Sequence, residues 1–534
     1  MRNTLLFALF LGGFFHLVSA QSPAQSTLQV NNVKALVRAN GTAFDDGQQG
    51  QFIPIQPGLA QKTLVRNTGI WLAGVSPDGN LKGAVSTGAS TDFQPGILAP
   101  ELPAVINFNK IWSLRCGDIN QHLADFNDNG VIDNPNTAVY AFPGMGNPFF
   151  EQYNPSLSLP LTTQGLAGYF DRNQDGLYNP AEGDYPNIEV RGCPLATFPE
   201  EQNWFAFNDL QTHPSKLAPI NIEVQAQFFA FKTPLVSDLN NAVFARYKLI
   251  NRSTENIDSC FFGVYADFDI GNPDDDFMGT IPNRHILYGY NGDTNDEGGF
   301  GSEIPVMAMD LLRGPLNENA EELGLHSSIV LDDASNLLDF QYYNLLTGRL
   351  KDGSPAPNGG LMYPGNPNNP NEASELTAGN TPGKRVGIAS FGPFRLQPGA
   401  VNEIIVGYYY VHKPGATPLQ NVQTLLSQPD VVQGLFDNCF GGLDNTCDAT
   451  SPAPEPMEQR DLHISPNPAA TEFRIESGGE PFSQVDISDM LGRRVKTLDL
   501  GLPVHRHTVQ VSDLPAGMYM VRVGGLVRSI VVNR

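Results

Sequence analysis

Ile220-Asn221-Ile222-Glu223-Val224-Gln225-Ala226-Gln227-Phe228-Phe229-Ala230-Phe231-Lys232 is the stretch on which the fold is read. Apolar residues at 222, 224, 226 and 228 alternate with polar ones at 223, 225 and 227, the period-two pattern of a strand with two unlike faces. Phe, Val and Ile fit the pleated surface of a sheet, and no Pro or Gly interrupts the run. Ala242 to Asn251, Cys260 to Asp267 and Val401 to His412 read the same way. Together the four runs predict the central strands of an antiparallel sandwich.

Working outward, Glu201 to Asp209 opens this central region, which runs from about 196 to 442. Ahead of it, residues 21–195 form a β-rich region with strand-like Leu28 to Val37 and Gly69 to Gly74. Gly353 to Thr381, rich in Pro, Asn and Gly, reads as a long surface loop. Residues 443–460, containing Ser451-Pro452-Ala453-Pro454-Glu455-Pro456, read as a linker to a last domain at 461–534. With 53 Gly and 42 Pro beside 32 Phe and 16 Tyr, the composition fits short strands and many turns better than long helices. The expected fold class is mainly β and multidomain: an antiparallel β-sandwich body with loop-embedded calcium sites and a C-terminal immunoglobulin-like β-sandwich.

A formal net charge of -24 argues against nucleic acid or an anionic membrane as a partner. It suits a divalent cation. The sharpest motif is Asp171-Arg172-Asn173-Gln174-Asp175-Gly176-Leu177-Tyr178-Asn179-Pro180-Ala181-Glu182. Oxygen side chains fall at its first, third, fifth and ninth places, Gly176 turns the chain at the sixth, and Glu182 closes it at the twelfth. That is the grammar of an EF-hand calcium loop, in which the backbone carbonyl of Leu177 supplies one ligand and Glu182 binds through both oxygens. Pro180 and Gly183-Asp184-Tyr185-Pro186 argue against a helix leaving the loop. The metal site expected is therefore Asp171, Asn173, Asp175, Leu177, Asn179 and Glu182.

Asp125, Asn127, Asn129, Val131 and Asp133 form a weaker copy, because its twelfth place is Asn136, which has no bidentate carboxylate. A third acidic run, Asp267 to Asp276, reads equally as a cation site or as a solvated loop. Asn291 to Glu297 would join it if the two loops meet.

The chain opens with Met1-Arg2-Asn3-Thr4, an apolar run from Leu5 to Val18, and Val18-Ser19-Ala20, which read as a cleaved leader over residues 1–20. The run is shorter than the ~20 residues that cross a bilayer, and no later segment is long and apolar enough. Export permits disulfides among Cys116, Cys193, Cys260, Cys439 and Cys447. The spacing of Cys439 and Cys447 favours that bridge, Cys116 with Cys193 is a further pairing, and the odd count leaves one thiol over.

Residues 461–534 alternate in short runs at Glu472 to Ile475, Gln484 to Ser488, Thr508 to Val511, Met518 to Val523 and Ser529 to Val532. Pro466-Asn467-Pro468-Ala469, Asp489-Met490-Leu491-Gly492-Arg493 and Leu514-Pro515-Ala516-Gly517-Met518-Tyr519 punctuate them, and Val531-Val532-Asn533-Arg534 ends the chain. These four motifs in order resemble the C-terminal sorting domain of type IX secretion cargo in Bacteroidota. The resemblance implies recognition by the type IX machinery and delivery, via the periplasm, to the outer surface or medium. Surface polysaccharide or lipopolysaccharide is then a further expected partner. Trp71 to Gly74, Lys110-Ile111-Trp112, Trp204 to Asp209, Arg246 to Asn251 and Tyr288 to Asp293 are similar to the bodies of large exported proteins bearing this tail. That likeness conveys export and architecture, not a reaction.

No Gly-x-Ser-x-Gly, His-Glu-x-x-His or phosphate-cradling glycine pattern occurs, and no catalytic residue is assigned. The expectation is a calcium-binding adhesive or structural protein. The alternative is a polysaccharide-active hydrolase or carbohydrate binder, with Asp267, Asp269, Asp274 or Glu303 as the acids and Trp71, Trp112 and Trp204 as sugar-stacking rings. His213, His285 and His412 show no partner in the sequence.

Overall fold

The computed structural model describes residues 22–533 other than 89, 99–104, 161, 194–197, 234–236, 429, 441–461, 467–468, 478–480, 490–493, 516 and 524–525. The expected leader, the linker, Cys447 and parts of the tail's Pro466 and Asp489 turns lie outside them.

Two large antiparallel sheets dominate the body, beside a three-stranded and two two-stranded ones among the described residues. The larger has nine strands, with the order Trp112–Arg115, Glu201–Asn208, Ile222–Ala230, Ala242–Asn251, Val401–Val411, Val306–Arg313, Ile286–Asn291 and Asp276–Ile281, and the short Gln94–Pro95 pairing off this path with Glu201–Asn208. The smaller has six, in the order Leu325–Leu331, Arg385–Leu396, Ile257–Phe268, Asn67–Val75, Leu81–Thr87 and Ser90–Thr91. Strands from before and after residue 195 thus share both sheets.

Their facing sides make the main core. Val224, Ala226, Phe228 and Tyr247 from the larger sheet meet Ile70, Leu72, Phe262, Val264 and Phe391 from the smaller. The larger sheet is covered on its outer face too. At one end Phe229, Phe244, Tyr288 and Ile405 pack under Val422, Leu425, Val432 and Phe436 of the helices Pro418–Ser427 and Val431–Asp437. At the other, Trp112, Trp204 and Ala206 pack under Phe142, Phe150, Tyr178 and Tyr185. Burial on both faces explains why even the polar residues Gln225 and Gln227 of the opening stretch are inside. Their carboxamide nitrogens find acceptors, Gln225 Nε2 donating to Gly165 O at 3.0 Å and Gln227 Nε2 to Asn187 O at 3.3 Å, while both Oε1 atoms are buried without a partner.

Leu28 to Val37, expected as one strand, is a hairpin of Gln25–Leu28 and Val33–Arg38. Asn31 makes its turn, the carboxamide oxygen accepting from Val33 N at 3.0 Å while Nδ2 donates to Ala242 O at 2.8 Å. The disulfide expectations need correcting. Cys193 bonds Cys439, with Cα atoms 5.3 Å apart across 246 residues, because the Val431–Asp437 helix returns to the 190–193 segment. Cys116 is disulfide-bonded as well, and among the described residues Cys260 is the free thiol, buried.

The C-terminal unit is a sandwich of three and four strands: Leu462–Ser465, Glu472–Ser477 and Arg506–Gln510 against Arg494–Val504, Phe482–Asp489, Gly517–Val523 and Leu526–Val532. Phe473, Ile475, Val485, Ile487, Val509, Val521 and Ile530 fill it. This is the seven-strand count of an immunoglobulin-like fold. No helix among the described residues is long and apolar enough to cross a membrane.

Candidate metal centre

Tyr178, at the eighth place of the Asp171 loop, anchors it to the body. Its ring is fully buried, its hydroxyl donates to Val139 O at 2.8 Å, and its amide donates to Met145 O at 2.7 Å. Gly144 is required there, since an added Cβ would lie 2.4 Å from Tyr178 Cγ.

Around that anchor side-chain hydrogen bonds hold the loop's turn, although the carboxylates of Asp171, Asp175 and Glu182 are not gathered within 4.8 Å of one another as those of Asp275, Asp293 and Glu297 are. The Asp171 carboxylate accepts from the amides of Gln174 (2.6 Å) and Gly176 (2.8 Å), which curls the chain around it. Asn173 Oδ1 accepts from Asp175 N at 3.1 Å, and Asp175 Oδ1 from Leu177 N at 2.8 Å. Gly176 takes φ 80, the left-handed turn the sixth place needs. Asn173 Nδ2 donates to Asp175 Oδ2 (3.1 Å) and to Glu182 Oε2 (2.6 Å), so the third, fifth and twelfth places meet around one polar hydrogen donor. Asn179 turns its oxygen to Ala181 N at 3.2 Å, capping the one-turn helix Pro180–Glu182, which Gly183 ends at φ 87. No longer helix leaves the loop.

Asp184 is the residue the sequence reading missed. Fully buried, it clasps both ends of the loop, accepting from Arg172 N at 2.8 Å and Asn179 N at 2.9 Å. Burial pushes its carboxyl up, against those two hydrogen bonds. Its place two residues after Glu182 was the available signal.

The weaker copy is built differently. Cys116–Asn129 is a helix, with Ile119, His122, Leu123 and Phe126 on its inner side and Gly130 as a left-handed cap at φ 81. Asp125, Asn127 and Asn129 are therefore helical residues rather than loop residues. A helix turns 100° per residue, so Asp125 and Asn129 share a face while Asn127 points elsewhere. Asp133 joins this face by accepting from Asn129 Nδ2 at 3.0 Å, and Asp125 Oδ2 accepts from Asn134 N at 2.8 Å. Val131 lies beyond the cap, exposed.

In the third acidic run the two loops do meet. Carboxylate oxygens of Asp275, Asp293 and Glu297 all lie within 4.8 Å of one another. Burial, then the charges of Asp296, Asp293 and Glu297, push the Asp275 carboxyl up to about 6. Asp267, Asp269 and Asp276 are buried rather than solvated.

Trp71, Trp112 and Trp204 are all buried, so none offers an open stacking face. His412 has a partner after all, its Nε2 standing 3.0 Å from Glu303 Oε2, and His213 Nε2 lies 2.7 Å from Asp209 O.

Residues 463–532 match the family described as the secretion system C-terminal sorting domain. The tail is a type IX secretion sorting domain. This sorting domain directs the chain to the cell surface or extracellular space and contacts the type IX machinery. It holds as many basic as acidic residues, so the net negative charge lies ahead of it. No curated protein matches the sequence. Among solved structures, a polysaccharide lyase aligns with 69% of this chain and 40% of its own at 10% identity and a TM-score of 0.19. The chain thus spans less than half of that protein.

Proposed function

We propose that the sorting domain exports a calcium-binding surface protein with an adhesive or structural role, and that calcium is held by Asp171, Asn173, Asp175, the Leu177 carbonyl, Asn179 and Glu182. The meeting of Asp175 and Glu182 around the Asn173 carboxamide nitrogen supports this most directly. Hard oxygens from carboxylate, carboxamide and carbonyl suit calcium, and a loop anchored by Tyr178 and Asp184 loses little entropy on binding it. Asp125, Asn129 and Asp133 offer a weaker second set of ligands. Buried tryptophans favour this role over sugar stacking.

Calcium titration of the full chain with thermal melts tests the reading. Replacing Asp171, Asp175 and Glu182 with Ala lowers the melting temperature in calcium and leaves it unchanged in chelator. Equal melting of parent and variant in both buffers would sink the site. Retention of the chain on surface polysaccharides without release of fragments supports adhesion, and fragment release overturns the non-catalytic role.

A further inference from the structure

We propose that Asn67, Asp267 and Asp269 form a separate calcium site at the rim of the six-stranded sheet. Asn67 and Asp267 are directly opposed on Asn67–Val75 and Ile257–Phe268, so their side chains share a face. Asn67 Nδ2 donates to Asp267 Oδ2 at 3.2 Å, and Lys384 Nζ stands 3.7 Å from that same oxygen. The other oxygens are the informative ones. Asp267 Oδ1, Asp269 Oδ1 and Asn67 Oδ1 are buried and have no hydrogen-bond donor, in residues exposed by 3%, 4% and 4%.

Leaving each such oxygen unpaired costs about 1–3 kcal/mol, and more for a charged one. Lys384 serves only one oxygen of Asp267, and the Arg66 side chain is exposed at the rim. Burial this deep excludes a sugar. It admits an ion, and two carboxylates with one carboxamide oxygen are the hard donors calcium takes, with water or backbone oxygens completing its shell.

The site is independent of the Asp171 loop, and the experiment separates them. Calcium per full chain is measured by mass spectrometry after dialysis for the parent, Asp269→Asn, Asn67→Asp and the Asp171→Ala/Glu182→Ala pair. Melts are run in calcium and in chelator. Asp269→Asn is expected to lose one calcium and keep the ion that the Asp171 pair loses. Asn67→Asp adds a third carboxylate, so it binds calcium roughly tenfold tighter and melts lower in chelator. A folded Asp269→Asn with an unchanged calcium count overturns the proposal. If that variant fails to fold, Asn67→Asp decides: equal destabilisation in calcium and chelator is equally fatal. Failure of the Asp171 pair to lose calcium counts against the loop alone.

Discussion

The Arg172 guanidinium lies over the Phe126 ring, 4.6 Å from its centroid, so the second residue of the Asp171 loop rests on the helix that carries Asp125. Arg172 Nε also donates to Gly183 O at 3.3 Å, so one side chain ties the loop's start, its end and the helix together. Cation–π contacts at such sites contribute about 0.5–1 kcal/mol. Phe126→Ala is expected to weaken calcium binding at the Asp171 loop by roughly 2–5-fold. Calorimetric titration checks this, and an unchanged affinity would show that the loop is held by Tyr178 and Asp184 alone.

The Cys193–Cys439 bridge pins the end of the Val431–Asp437 helix to a segment 246 residues earlier. Cys439→Ser should lower stability by about 2–4 kcal/mol, since the long loop is no longer closed in the unfolded chain. Hydrogen exchange is expected to speed up first in Val431–Asp437. Denaturant melts of parent and variant measure the loss.

Glu375 and Arg385 form a buried ion pair, Nε to Oε2 at 2.9 Å, and Glu375 Oε1 accepts from Met278 N at 2.9 Å. Asn380 Nδ2 adds a third bond, so the Pro- and Gly-rich 353–381 loop is fastened to two strands. Glu375→Ala leaves Arg385 without its buried partner and is expected to cost about 3–5 kcal/mol in denaturant unfolding. A loss below 1 kcal/mol would mean that the exposed Asp332, 3.0 Å from Arg385, compensates.

His122 is wholly buried against the Tyr140 ring, and burial pushes its imidazole down from 6.5 to about 4. Between those values the unfolded chain binds a proton that the folded chain refuses. Stability is therefore lost as pH falls from 6.5 toward 4, by at most about 3 kcal/mol from this group. The difference between parent and His122→Phe isolates the histidine: the variant should lack this acid-sensitive part of the melting profile.

Where alternation was strong, the strands were legible: Ala242–Asn251 has the expected bounds, and Ile222–Ala230 falls within its expected stretch. Arg385–Leu396 was not, because Gly387, Ser390, Gly392 and Pro393 break the pattern in a strand chosen for close packing on both sides. The Cys116–Asn129 helix was hidden by its own polar residues, which imitate a calcium loop from Asp125 onward. The turn of the Asp171 loop was readable because the side chains that hold it, Asp171, Asn173 and Asp175, are local. The approach of Asp293 to Asp275, and of Asn67 to Asp267, depends on strand pairing between distant segments, which spacing alone does not show.

That pairing governs when the molecule can form. Asn67 waits 200 residues for Asp267, and Thr68 reaches Tyr408 after 340. Closing such long loops is slow, and the earliest strand of the smaller sheet, Asn67–Val75, is an interior one. A chain emerging amino end first therefore carries sticky, half-paired strands until nearly the whole body is out. Holdase protection during transit would matter more for this protein than for one built of hairpins that close as they appear.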